Sequence, residues 1–315
     1  MQNERMAHGE CAIVAQGLYY RYGRRPALDG IDLSIPEGAT YALLGPNGSG
    51  KTTLLHVLAG LRRASAGHAR VLGRDPAERD RTTRQSVRHV GEGQQLPRWM
   101  RIHEYEAFLR PLYPTWDVAL ADQLRRRFQL DPTCKLGALS RGEYMKAALL
   151  FALASHPRVL LMDEPFTGMD VSVKDELVRG LLDSATSEGC TTLVCSHDLQ
   201  ELEPIADWIG FLAAGRMMLS ESMASVQERF RHVDVLLPQD ADPAAIESSW
   251  LSVERSGRRL RFIATASDGA SDAHDVDRGF PHGAKIDIRP ATLREVFLAL
   301  ADRSRATDTR RVEAA

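Results

Sequence analysis

The run Gly45-Pro46-Asn47-Gly48-Ser49-Gly50-Lys51-Thr52-Thr53 constrains this chain more than any other stretch of it. It fits the phosphate-binding pattern G-x-x-x-x-G-K-[ST], and its flanks supply the context that gives the pattern meaning. Tyr41 to Leu44 before it reads as a short buried strand. Thr52 to Leu61 after it sets Leu54, Leu55, Leu58 and Leu61 on one helical face. A strand that turns through glycines into a helix points successive backbone N–H groups, and the positive end of the helix dipole, at an anion. Lys51 adds a full positive charge for β- and γ-phosphates, and Thr52 a hydroxyl for Mg²⁺. A nucleotide site is expected, which still leaves kinases, GTPases, DNA-acting ATPases and transport ATPases open.

A second chemical element is Val159-Leu160-Leu161-Met162-Asp163-Glu164, an apolar strand that ends in two carboxylates. Adjacent acids at the end of a buried strand repel each other unless a cation or a reacting water uses them. Asp163 suits Mg²⁺, and Glu164 suits activation of the water that attacks the γ-phosphate. His197 follows the next apolar strand, Thr191 to Ser196. If that strand runs parallel to the Asp163 strand, His197 reaches the same sheet edge as the γ-phosphate.

Strand, helix, strand in this order implies a doubly wound α/β sheet with ligands at the carboxyl ends of its strands. At 315 residues the chain has room for one large domain and one small one. Residues 11–44 alternate strand-like runs with turns, and a short strand pair is expected around His68 to Leu72. Residues 98–153 carry long amphipathic patterns, as a helical insertion would, and Ala147 to Ala154 reads as a buried helix. Trp208 to Leu219 reads as a hairpin turning at Ala214-Gly215. A smaller α+β unit is expected over 232–302, closing with a helix capped by Thr292 and Glu295, followed by a disordered tail over 303–315.

A net charge of −2 gives no global attraction to nucleic acid, so no nucleic-acid partner is expected. Cys11, Cys134, Cys190 and Cys195 form no C-x-x-C pair, which argues against a zinc knuckle. No apolar run reaches the roughly 18 to 20 residues that cross a bilayer, and Met1 to Glu10 does not resemble a signal peptide. Work at a membrane would therefore need another chain to do the crossing.

Between the helical insertion and the acidic strand lies Leu139-Ser140-Arg141-Gly142-Glu143, which resembles the LSGGQ signature of ABC-type ATPases. The order phosphate loop, signature, VLLMDEP, TGMD, SHD resembles the whole ABC cassette over roughly residues 11–231. The resemblance implies a P-loop NTPase cassette of the α/β class, with a mixed central sheet, an antiparallel β subdomain and a helical subdomain. It implies ATP and Mg²⁺ as cofactors, and two cassettes closing head to tail around two ATP molecules. Ser140, the Gly142 amide and Glu143 would then serve the ATP held by the opposite cassette, at the start of a helix. Tyr22 is similar to the aromatic residue that stacks on adenine, and Asp170 in TGMD to the residue that couples the two sites.

The signature departs from the family at two positions, with Arg141 for glycine and Glu143 for glutamine. At the position of the usual Gln-containing loop, Glu92 is the favoured Mg²⁺-facing residue and Gln94 its rival. Glu92, LPRWM and YPTWD resemble exporter-type bacterial cassettes whose transmembrane permease is a separate chain. Trp99, Met100 and Trp116 suit either a helical-subdomain core or contact with that chain. The implied protein sits peripherally on the cytoplasmic face of the membrane and hydrolyses ATP to drive export. Two alternatives remain: an ABC-type ATPase acting on nucleic acid or ribosomes, and a weakly active ATP-binding module.

Overall fold

The computed structural model describes residues 11–91, 94–169, 173–179, 189–238, 250–265, 280 and 283–313. The chain divides into two compact units, the first ending at Ser220 and the second starting at Glu221. That division falls earlier than the boundary expected after 231, because the helix Met223–Arg229 and the strand that follows it belong to the second unit.

Strands β1 (Cys11–Tyr22), β2 (Arg25–Pro36) and β4 (Ala66–Val71) form an antiparallel sheet in the order β2-β1-β4. The pair expected around His68 to Leu72 is thus one strand, and its partner is β1. Strands β3 (Thr40–Leu44), β5 (Val87–Gly91), β6 (Val159–Asp163), β7 (Thr191–Ser196), β8 (Trp208–Ala213) and β9 (Arg216–Ser222) form the central sheet, ordered β5-β6-β7-β3-β8-β9. The pairs β5·β6, β6·β7, β7·β3 and β3·β8 are parallel.

Every residue of β3, β6 and β7 is buried, as expected of parallel strands covered on both faces. Ala214 and Gly215 both have positive φ, 47° and 75°, and a two-residue turn of that kind joins β8 to β9. Such a turn makes β9 an antiparallel edge, so the sheet is mixed.

One core unites the two sheets. Ile13, Leu18 and Ile31 of the antiparallel sheet share it with Leu43, Leu161 and Leu193 of the central sheet, and Leu54, Leu55 and Leu58 of the Lys51–Leu58 helix lie between. The helical region contains Ile102–Leu109, Val118–Arg127 and Arg141–Leu153. The last of these is buried at every position from Met145 to Leu153, which accounts for its apolar run. Lys146, buried in that stretch, pairs with Glu176 at 2.5 Å.

The second unit is a four-stranded antiparallel sheet of β10 (Phe230–Leu236), β11 (Leu251–Ser256), β12 (Arg259–Thr265) and β13 (Lys285–Pro290), ordered β11-β12-β10-β13. Trp250 stacks on Phe262 with centroids 4.0 Å apart, over a core of Val233, Val235 and Leu260. The closing helix runs from Leu293 to Glu313, so helix replaces the disordered tail expected from residue 303. Residues 303–313 contain neither glycine nor proline, and nothing in them breaks the helix that Thr292 starts.

Candidate functional site

Sheet register brings the chemical elements together. Leu44, the last residue of β3, pairs with Ser196 of β7, and Asp163, the last of β6, pairs with Cys195 of β7. Three adjacent parallel strands therefore end level with one another. The loops leaving them carry the phosphate-binding run, Glu164 and His197 to one edge, the position where open α/β sheets bind ligands.

The phosphate loop is shaped by backbone contacts that admit only glycine at two positions. A Cβ on Gly45 would lie 2.2 Å from the carbonyl oxygen of Leu212 in β8. A Cβ on Gly50 would lie 2.5 Å from the Ala27 carbonyl oxygen, and Gly50 has φ 113° where it caps the Lys51–Leu58 helix. Between them, Ser49 N donates to Pro46 O at 3.2 Å, and Gly215 N donates to Ser49 O at 2.9 Å. Pro46 and Asn47 form the exposed tip, and Lys51 and Thr53 begin the buried face of the helix. Lys51 is only 5% exposed, and its Nζ donates to Gly45 O at 2.7 Å. The amine thus closes over the loop whose amides it complements.

Glu164 faces that amine. Its Oε1 lies 3.4 Å from Lys51 Nζ, and its Oε2 lies 2.8 Å from His197 Nδ1 and accepts from Thr167 Oγ1 at 3.1 Å. Glu164 also has φ 48°, a left-handed conformation rare for a residue with a side chain, and its N–H donates to Cys195 O at 2.9 Å. Strain of this kind clusters at functional sites. Burial works to raise the Glu164 pKa, but the His197 hydrogen bond and the Lys51 charge outweigh it, and the group is held below its ordinary value. The carboxylate is ionised and aimed, as a general base requires.

Asp163 is 8% exposed and has one buried oxygen, Oδ1, without a partner. Burial is the main cause that raises its pKa above the ordinary value, against the opposing effect of the nearby Thr52 hydroxyl. A buried carboxylate oxygen beside a threonine hydroxyl fits a hard divalent cation, which would supply the missing partner. Ser49 Oγ is likewise buried and unpartnered at this edge.

Tyr22 ends β1 and is 45% exposed, with its hydroxyl 3.3 Å from Thr53 Oγ1. The signature residues stand apart from this cluster. Ser140 caps the Arg141–Leu153 helix, its Oγ accepting from Glu143 N at 3.3 Å while Glu143 Oε2 accepts from Ser140 N at 2.8 Å. The Glu143 carboxylate therefore closes a capping box, and its pKa is lowered chiefly by the Ser140 side chain. Gly142 packs near Val173, where a Cβ would meet Val173 Cγ1 at 3.5 Å. No hydrogen bond or ion pair among the described residues joins Ser140 or Gly142 to the phosphate loop. Glu92 and Asp170 lie outside the described residues. Gln94, two residues after Glu92, is described, and its Oε1 is buried without a partner.

Several contributors escape the sequence. Thr167 opens the TGMD run, but nothing in that run signals that its hydroxyl meets Glu164. Tyr144 Oη donates to Gln94 O at 2.6 Å and accepts from Leu96 N at 2.7 Å, pinning the loop beside Glu92. The S-x-x-E spacing of Ser140 and Glu143 is the capping-box pattern and is readable as such.

Comparison with known proteins agrees with this geometry. Residues 28–167 match the family model described as "ABC transporter". The chain is 33% identical over 310 residues to "Sulfate/thiosulfate import ATP-binding protein CysA" of Burkholderia mallei, covering 95% of this chain and 85% of that protein. It is 30% identical over 328 residues to "Daunorubicin resistance ATP-binding protein DrrA3" of Streptomyces coeruleorubidus, covering 97% and 99%. Among solved structures, an ATP-binding subunit of an ABC transporter superposes with TM-score 0.63 at 22% identity, over 69% of this chain and 92% of that one. A dimeric ATP-binding cassette in a post-hydrolysis state bound to ADP and Pi superposes with TM-score 0.60 at 23% identity, over 67% and 98%. With relatives of this identity matched along nearly all of both chains, the protein belongs to the ABC transporter family, as one of its ATP-binding and ATP-hydrolysing subunits.

Proposed function

We propose that this ATPase works as one of two cassettes that close head to tail around two ATP molecules and so move a transmembrane permease on a separate chain. The observation that carries the reading is Glu164, held between Lys51 and His197 at the edge where the phosphate loop opens. Glu164 takes the proton of the attacking water, and His197 keeps its carboxylate turned toward that water. Lys51 and the loop amides bind the β- and γ-phosphates. Thr52 and Asp163, with Glu92, would hold Mg²⁺, which when bound neutralises phosphate charge. Tyr22 offers its ring to the base.

Ser140 and Gly142, at the start of the Arg141–Leu153 helix, are assigned to the ATP of a second cassette, and the lack of any bond from either to the chain's own phosphate loop among the described residues supports this. Glu143, as their cap, fixes that terminus, and Asp170 would link the two sites. No described helix is long and apolar enough to cross a membrane, which supports the assignment of the crossing to another chain. Trp99 is 77% exposed and Phe108 54% exposed in the helical region, apolar surface suited to that chain. We read the direction as export, on the match to the drug-resistance protein over 99% of its length, and the location as the cytoplasmic face of the membrane.

The test is ATP-dependent dimerisation of Glu164→Gln, followed by gel filtration. A stable dimer with ATP, and a monomer without it, is expected. A Glu164→Gln protein that hydrolyses ATP at the wild-type rate overturns the role of Glu164. Copurification with a partner that lacks membrane spans overturns the transport arrangement.

A further inference from the structure

The Tyr22 ring is held by more than its strand. Arg62, in the segment that leaves the Lys51–Leu58 helix, places its guanidinium carbon 4.9 Å from the Tyr22 ring centroid and 5.7 Å from that of Tyr20. Its NH1 donates to Tyr20 Oη at 3.0 Å, and the Tyr20 ring meets Tyr22 edge-on, centroids 5.0 Å apart at 72°. The Arg62 backbone N–H donates to His56 O at 3.0 Å, which ties the guanidinium to the helix that carries Lys51.

No carboxylate pairs with Arg62 among the described residues, and its Nε is buried without a partner. The side chain is thus placed by the two rings and one phenol, not by an acid. A guanidinium over an aromatic face is attracted by the ring quadrupole, and it leaves the ring better able to stack with an electron-rich base.

We propose that Arg62 is a positioning residue for the nucleotide base, locking the half-exposed Tyr22 ring in the orientation that receives a purine and linking that ring to the phosphate-binding helix. The inference rests on the assignment of Tyr22 to the base. Arg62 touches Tyr22 and Tyr20, so its effect on the nucleotide passes through the ring. The part of ATP that Arg62 serves is therefore the base, and the triphosphate is indifferent to it.

The experiment measures equilibrium binding of ATP and of inorganic tripolyphosphate, both with Mg²⁺, to the full chain and to Tyr22→Ala, Arg62→Ala, Arg62→Lys and Arg62→Gln. Arg62→Ala is expected to weaken ATP about three- to tenfold and to leave tripolyphosphate unchanged. Arg62→Lys should recover only part of the loss, because an ammonium lacks the planar fork that lies on a ring. Arg62→Gln, which keeps a donor for Tyr20 without the charge, should resemble Arg62→Ala. The double variant with Tyr22→Ala should lose no more than Tyr22→Ala alone. If Tyr22→Ala binds ATP as the wild type does, the assignment of Tyr22 itself fails. If Tyr22→Ala weakens ATP while Arg62→Ala leaves it unchanged or tightens it, the role of Arg62 alone is overturned. Equal weakening of ATP and tripolyphosphate by Arg62→Ala would mean damage to the phosphate loop, and also overturns it.

Discussion

His197 Nδ1 and Glu164 Oε2 lie 2.8 Å apart, across the ends of two neighbouring parallel strands. Because this contact is one of those that hold the Glu164 pKa below its ordinary value against burial, its removal leaves burial less opposed. His197→Ala should therefore raise the Glu164 pKa. The base is active when ionised, so the acid limb of the turnover profile should move to higher pH, with a fall in the plateau of about tenfold to a hundredfold. Steady-state hydrolysis from about pH 5 to pH 9 checks this. A lower plateau with an unmoved acid limb would show that His197 does not act through Glu164.

Glu164→Gln removes the proposed base while keeping the side chain's shape. ATP binding should stay within about twofold, and single-turnover hydrolysis should fall by about 10² to 10⁴. Loss of ATP affinity in parallel with rate would assign Glu164 to binding instead.

The glycines of the phosphate loop are expected to differ sharply. Gly48 has φ 79°, but nothing lies within 4 Å of the place its Cβ would take, so Gly48→Ala meets only the left-handed backbone penalty, about 1 to 2 kcal/mol. Gly45→Ala drives a carbon to 2.2 Å from a backbone oxygen in β8, which must move the strand or the loop. Thermal unfolding should show a modest loss for Gly48→Ala and a larger one for Gly45→Ala, with ATP binding lost in the latter. Equal losses would refute the steric account.

The parts of this site that are contiguous in the chain are legible in the sequence. The phosphate loop, the acidic end of β6 and the histidine after β7 each announce themselves within a few residues, and the hydrophobic runs place them on parallel strands. Contacts between distant residues are not legible. Nothing near Gly45 signals that Leu212 approaches its backbone, and nothing near Tyr22 names Arg62 as its neighbour. The helix beyond residue 302 escapes for another reason. High charge resembles disorder in composition, yet Arg, Asp and Glu are tolerated in a helix that has already been nucleated and capped.

Tyr144 satisfies two backbone groups of the loop beside Glu92, the Gln94 carbonyl and the Leu96 N–H. Tyr144→Phe leaves the ring in place and strands both groups, at a cost of about 1 to 3 kcal/mol. Hydrogen exchange at Leu96 should speed up, and ATP affinity should change little because the phosphate loop is untouched. Unchanged protection at Leu96 would show that this loop is held by other means.

In the second unit, Glu295 gathers a set of partners at the start of the closing helix. Arg289 NH2 donates to Oε1 at 2.5 Å and NH1 to Oε2 at 3.0 Å, Thr292 N donates to Oε2 at 2.8 Å, and His232 Nδ1 lies 3.0 Å from Oε1. These contacts, Arg289 foremost, bring its pKa down to about 2. A carboxylate whose pKa is lower folded than unfolded adds stability above the unfolded value, about 4.3, and loses it as pH falls through the folded one. Protection factors of β10 and β13 amides should therefore drop between about pH 4.3 and about pH 2. Glu295→Gln should lower them already at about pH 7, by about 1 to 2 kcal/mol after allowance for partial exposure, and should flatten the acid dependence. The same acid slope in Glu295→Gln as in the wild type would place the pH-sensitive group elsewhere in the unit.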